Sequence, residues 1–213
     1  MKLPMVLLGA GGHGRVLLDI ILQQSYEVLA IADPEYKRMS SFNNIPLIDD
    51  RDVLKYSPTE VLLVNGLGSV GDTGKRQQVY EYFKNSGYKF ATLIHSSAVV
   101  SPRAELGEGT QVMAGAIVQT GVTIENNSII NTKSTVEHDC TIGAHVHIAS
   151  GAILCGGIEV GDGVHVGAGA TVIQGISIGK RSVIGAGAVV ISDIPEAAVA
   201  VGVPARIIKY REG

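Results

Sequence analysis

The feature that most constrains this chain is a period of six. Counting in sixes from Leu106 meets Val112, Val118, Ile124, Ile130, Val136, Ile142, Ile148, Leu154, Val160, Val166, Val172, Ile178, Ile184 and Val190, an unbroken run of Ile, Leu and Val. Four residues after most of these anchors stands a small or β-branched residue, among them Thr110, Ala116, Ser128, Ser134, Ala152, Ala170, Ser182 and Ala188. Glycine often follows the anchor directly, as at Gly107, Gly143, Gly161, Gly167, Gly179 and Gly185. A helix repeats near 3.6 and a strand at two, so neither explains the pattern. A hexad is one side of a triangular β-coil in which anchor and small residue point into the prism, while corners need residues that tolerate tight backbone geometry. The run predicts about five coils between Val100 and Val190, with no long loop inserted.

Before the repeat the pattern is different. Met5–Leu8 is an apolar run that meets Gly9-Ala10-Gly11-Gly12-His13-Gly14, and residues 15–24 then carry apolar side chains at helical spacing. A second strand over 27–32 ends at Asp33-Pro34, a third over 61–64 ends at Asn65-Gly66-Leu67-Gly68, and a helix spans 75–86. Strands alternating with helices predict a small parallel α/β unit. The boundaries expected are an α/β domain over 1–92 and a β-helix over 93–213.

Composition agrees with many short strands and tight turns: 27 Gly, no Trp and only 3 Phe in 213 residues. A net charge of -3 argues against nucleic acid or an anionic membrane as partner. Cys140 and Cys155 do not make a disulfide framework and suit a reducing compartment. No apolar run approaches the roughly 20 residues of a membrane span. A soluble, cytoplasmic protein is expected.

The repeat, the glycine turn Gly9–Gly14 with Asp33, and the segments 93–101 (LIHSSAVVS), 131–139 (NTKSTVEHD) and 202–206 (GVPAR) together resemble the hexapeptide-repeat acyltransferases. More narrowly, they resemble the group that acetylates nucleotide-linked amino sugars and sialic acids. The resemblance implies a Rossmann-like domain that holds a nucleotide-sugar, joined to a left-handed parallel β-helix that uses acetyl-CoA, in a homotrimer with active sites between subunits. It implies no metal. The activity implied is N-acetylation of the 4-amino group of a nucleotide-linked 4-amino-4,6-dideoxy sugar, with UDP chosen by family frequency. GDP- or dTDP-linked amino sugars and sialic acid O-acetylation stay open.

His138, within Glu137-His138-Asp139, matches the family's catalytic base. Chemistry supports it independently: acetyl transfer from a thioester needs a neutral nucleophile, and imidazole, with an unperturbed pKa of about 6.5, is suited to take the proton. Asp139 would orient the imidazole and stabilise its protonated form. His147 follows His138 at the family's spacing and is expected to line the same groove, against the acetyl or the sugar group. Because Val146 should point inward, His145 and His147 should both face out, and His165 reads as an ordinary outward residue. Asn131 matches a family position near the substrate.

The resemblance implies that in the N-terminal turn the backbone amides of Gly9, Gly11 and Gly12 meet phosphate or sugar, that His13 reaches the sugar, that Asp33 binds base or ribose, and that Asn65 and Gly66 line the far side. The corners Gly167-Ala168 and Gly185-Ala186 are implied pantetheine contacts, and Arg206 an adenine or phosphate contact. Two other classes compete. Gly9–Gly14 also fits a dinucleotide fingerprint, which would make the chain an NAD-dependent oxidoreductase, although about ninety residues supply only half of such a domain. A non-enzymatic nucleotide-sugar-binding module on an oligomerisation scaffold is the other.

Overall fold

The computed structural model describes residues 2–35 and 44–211. They fall into two compact units, Met1–Gly68 with Lys75–Leu93, and Ser69–Gly74 with Ile94–Gly213.

The first unit contains β1 (Met5–Leu8), α1 (Gly12–Gln23), β2 (Val28–Ala32), β3 (Leu47–Ile48), a 3₁₀ turn (Asp50–Lys55), β4 (Leu62–Asn65) and α2 (Gly74–Asn85). The strands form one parallel sheet in the order β3-β2-β1-β4. Both faces of β1 are buried, which explains why MVLL reads as a continuous apolar run and not as an alternation. Val6, Leu8, Ala30, Ala32 and Leu63 pack on Val53, Tyr80, Phe83, Tyr88 and Phe90. The sequence predicts β1, β2, β4 and both helices. It misses β3 and the 3₁₀ turn, since a strand of two residues carries no periodicity.

The second unit is a left-handed parallel β-helix. From Val99–Val100 to Val189–Val190 its strands are two residues long and pair with the strand eighteen residues away, as Thr123–Ile124 pairs with Glu105–Leu106 and Thr141–Ile142. Three sheets result. Their outward residues are Val99, Ile117, Thr135, Ile153, Thr171 and Val189 on the first face, Glu105, Thr123, Thr141, Glu159 and Ser177 on the second, and Gln111, Ile129, His147, His165 and Val183 on the third. The anchors and the residues four positions on fill the prism as one continuous core. Deleting one such side chain, for example Ile148→Ala, costs about 2–5 kcal/mol because a stacked coil cannot collapse into the hole.

The corners differ from expectation. The left-handed residue is the third after each anchor, from Gly109 and Gly115 through to Arg181 and Gly187. The glycine directly after an anchor serves another purpose: a Cβ at Gly167 would lie 2.5 Å from the Ala186 nitrogen and one at Gly179 would collide with Glu196 nitrogen. Close stacking of backbone on backbone, not left-handed geometry, requires glycine there. Five complete coils run from Val99 to Ile184. A sixth closes two residues short, Ile178 pairing with Ile194 and Ile184 with Ala200, before the chain reverses into an antiparallel pair, Ala198–Val201 with Arg206–Tyr210.

Candidate functional site

In the first unit, the carboxyl ends of the parallel strands open into a cleft of about 750 Å³. Gly9, Gly11, Gly12, His13 and Asp33 line it, with Gly66, Leu67 and Gly68 opposite. The turn is built for close approach. Gly9 has φ +96°, and a Cβ on Gly14 would sit on the Gly9 carbonyl. Gly11 and Gly12 face open space, so their backbone is accessible from the cleft. Gly11 caps α1 with no side-chain bond and the first turn carries no acid, which leaves amide hydrogens and the positive end of the helix dipole for an anion.

Asp33 holds this turn together: one carboxylate oxygen accepts the Ala10 amide at 2.8 Å and the other accepts the Glu35 amide at 2.9 Å. Asn65 does not line the cleft. It is 1% exposed, its amide donates to the Arg76 carbonyl at 3.0 Å and its oxygen accepts the Leu67 amide at 3.3 Å. The expectation of a ligand contact fails there because a buried polar side chain must satisfy itself locally. Sequence reasoning missed its partner. Arg76, on α2 and fully buried, donates to the Asn65 and Leu67 carbonyls at 2.7 Å each, so a buried guanidinium shapes the wall formed by residues 66–68. Burial pushes its pKa down to about 9, which leaves it charged at neutral pH. Lys75, Gln78 and Tyr82 on α2 and Asp50 and Arg51 on the 3₁₀ turn complete the cleft. Burial, then the charges of Asp33 and Asp49, raises the Asp50 carboxyl above its ordinary value. None of these was legible as a site, because helical spacing alone does not say which face meets a ligand.

In the second unit, Glu137-His138-Asp139 forms a corner between the first and second faces. His138 Nδ1 and Asp139 Oδ2 are 2.8 Å apart, and both side chains are mostly exposed, 61% and 70%. A carboxylate only accepts, so Nδ1 carries the hydrogen and Nε2 presents a lone pair. Asp139 occupies the left-handed corner, φ +59°.

The third face is not open. Residues 69–74 lie across it: Ser69 Oγ is 2.7 Å from His147 Nδ1, and the Thr73 hydroxyl donates to the Gly163 carbonyl at 3.2 Å. His147 and His165 are therefore 5% and 8% exposed, their rings edge-to-face at 5.0 Å. The expectation that both face outward holds, but facing outward does not leave them open to solvent. Their side chains do leave the prism, but a segment remote in sequence covers them. Asn131 Oδ1 accepts the Thr132 amide at 2.7 Å, so its Nδ2 donates to His147 Nε2 at 3.0 Å. His147 is thus the Nδ1–H tautomer, with both nitrogens directed at Asn131 and Ser69. His145, half-buried, meets Asn127 Nδ2 at 2.9 Å.

Gly167-Ala168 and Gly185-Ala186 stack on adjacent coils at the corner between the third and first faces, with both alanines exposed. Arg206 is exposed on the last strand, its guanidinium donating to the Ala205 carbonyl at 3.0 Å. Cys140 and Cys155 are free thiols, and burial raises Cys140 above its ordinary pKa. Among the described residues no group of His, Cys, Asp and Glu could hold a metal ion, and no helix is long and apolar enough to cross a membrane.

Residues 4–83 match the family described as the PglD N-terminal domain, and residues 121–156 and 157–192 match bacterial transferase hexapeptide repeats. The chain is 38% identical over 112 residues to the UDP-N-acetylbacillosamine N-acetyltransferase of Bacillus subtilis. That alignment takes in 51% of this chain and 50% of the relative, so the chain spans about half the length of the curated protein it matches. Among solved structures it is similar to PerB from Caulobacter crescentus in complex with CoA and GDP-perosamine, at 34% identity and TM-score 0.88, covering 98% of this chain and 100% of that one. It is similar also to the acetyltransferase domain of PglB from Neisseria gonorrhoeae with acetyl coenzyme A, at 35% identity and TM-score 0.89, again covering 98% and 100%.

Proposed function

This chain belongs to the family of hexapeptide-repeat acetyltransferases with a PglD-type N-terminal domain, and from that premise we propose that it transfers the acetyl group of acetyl-CoA to the 4-amino group of a UDP-linked 4-amino-4,6-dideoxy sugar. The observation that carries the reading is the His138–Asp139 pair at 2.8 Å, with Nε2 presented at an exposed corner. The amine nitrogen attacks the thioester carbonyl carbon, the nitrogen proton passes to Nε2, the C–S bond breaks, and the thiolate leaves as CoA on taking a proton. Asp139 keeps Nδ1 protonated and steadies the imidazolium. The nucleotide lies in the cleft of the first unit, its diphosphate on the amides of Gly11 and Gly12 and its sugar toward His13 and Gly66, with Asp33 beneath the nucleoside.

The prism works as a homotrimer in this reading. Its first face carries Val99 and Ile153 at 63% and 43% exposure beside Ile117 and Val189, whereas the second face is polar and the third is covered by the chain itself. The first face is flanked by the His138 corner on one side and by Gly167-Ala168 and Gly185-Ala186 on the other. A neighbouring copy on it would enclose CoA between base and alanine corners, with Arg206 toward the adenosine phosphates. Asn131 and His147 act through the network they share, not as free donors. Cytoplasmic acetyl-CoA is the expected source.

Steady-state thiol release from acetyl-CoA with UDP-, dTDP- and GDP-linked 4-amino sugars, and with free sialic acid, tests the proposal. The UDP-linked amine should give the highest kcat/KM. A higher value for GDP corrects the nucleotide, and the Caulobacter structure with GDP-perosamine makes that arm necessary. A higher value for sialic acid overturns the reading.

A further inference from the structure

Gly156 lies eighteen residues after His138, one coil along at the same corner. A Cβ built on it would stand 2.6 Å from His138 Cε1, 2.7 Å from Nε2 and 3.2 Å from Nδ1, so the three nearest atoms all belong to one imidazole. Gly167 and Gly179, which follow anchors directly, meet only the backbone of the next coil instead. Nor does conformation demand glycine, because Gly156 is not among the residues of positive φ, whereas its neighbour Gly157 is at +67°. The coils cannot separate to make room. The Gly157 amide donates to the His138 carbonyl at 2.9 Å, and the Gly175 amide donates to the Gly156 carbonyl at 3.0 Å. A side chain at 156 must therefore move the ring, and the ring can move cheaply because it is mostly exposed and, among the described residues, tethered only by Asp139.

We propose that Gly156 is a positioning residue for the acetyl transfer: its missing side chain is the seat on which the His138 imidazole lies, holding Nδ1 on Asp139 and Nε2 toward the reacting amine. The inference rests on His138 being the base. A methyl in that seat lifts the ring by an ångström or more, and a displacement of that size costs about 10²-fold in rate.

The test is Gly156→Ala in the full chain, beside His138→Ala and the double variant. Expected for Gly156→Ala is a kcat lowered about 10- to 100-fold, KM for both substrates within about twofold, and an unchanged melting temperature. NMR of ring-labelled histidine should show the Nδ1–H form of His138 in the parent and mixed tautomers in the variant. Added to His138→Ala, the second change should cost nothing more. A Gly156→Ala variant with parental kcat and tautomer, beside an inactive His138→Ala, overturns the inference alone. An active His138→Ala overturns the underlying assignment of the base. A variant that melts early and loses the same factor with and without His138 makes Gly156 merely structural.

Discussion

Asp139 stands where the other corners of its coil stack favour glycine. Its φ of +59° is a conformation that costs an L-residue about 1–2 kcal/mol, and Gly121 and Gly157 occupy the equivalent place one coil before and after. A carboxylate retained in that geometry is explained by what it touches, the Nδ1 of His138. Its other contact fits: a Cβ at Gly121 would collide with Asp139 Oδ1, so the acid needs a bare glycine behind it as the imidazole needs one beneath it. The residue-scale prediction follows from the role of Nε2. His138→Ala should lower kcat by about 10²–10⁴, with acetyl-CoA binding little changed, measured by steady-state thiol release and by calorimetry.

Between residue and molecule lies the segment 69–74, which turns the outward third face into an interior. Arg211 ties its end, bonding to Asp72 at 2.8 Å and to the Arg181 carbonyl at 3.1 Å. Beneath it, burial first and the Arg211 charge second hold His165 below its ordinary pKa. The groups facing it are His147 at ring contact and Arg211. A histidine whose folded pKa is depressed binds its proton more readily when unfolded. Its stabilising contribution is therefore whole above the unfolded value of about 6.5 and is lost as the pH falls below it. His165→Gln should flatten the decline of melting temperature between about pH 7 and pH 5 relative to the parent. Equal slopes in thermal melts across that range would contradict the assignment.

At the scale of the whole molecule, what matters is which face of the prism remains to be covered. Residues 69–74 cover His147 and reach the Gly163 carbonyl on the third face, and the second carries Glu105, Thr123, Thr141, Glu159 and Ser177, so the trimer proposed above would bury the apolar ladder of the first face. Ile153→Glu, in the middle of that ladder, should convert a trimer into monomers by light scattering and abolish turnover, while Glu159→Lys on the second face should change neither. A monomeric parent with full specific activity would refute a site shared between copies.

The repeat was fully legible because a six-residue period leaves a chain few ways to bury its Ile, Leu and Val: every anchor from Val112 to Val190 is inside, and each can be named from spacing alone. The glycine turn and the His138–Asp139 pair were legible for a similar reason, since they depend on neighbours in the chain. The sequence also determined that the third face would carry His147 and His165, but not that they would be buried. Only tertiary structure decided that residues 69–74 cover them, that Asn65 is consumed by Arg76 and not by a ligand, and that Gly156 lies under a ring eighteen residues away. Periodicity reports which side of a strand a residue occupies. What lies against that side is set by segments distant in sequence, and no local pattern carries that information.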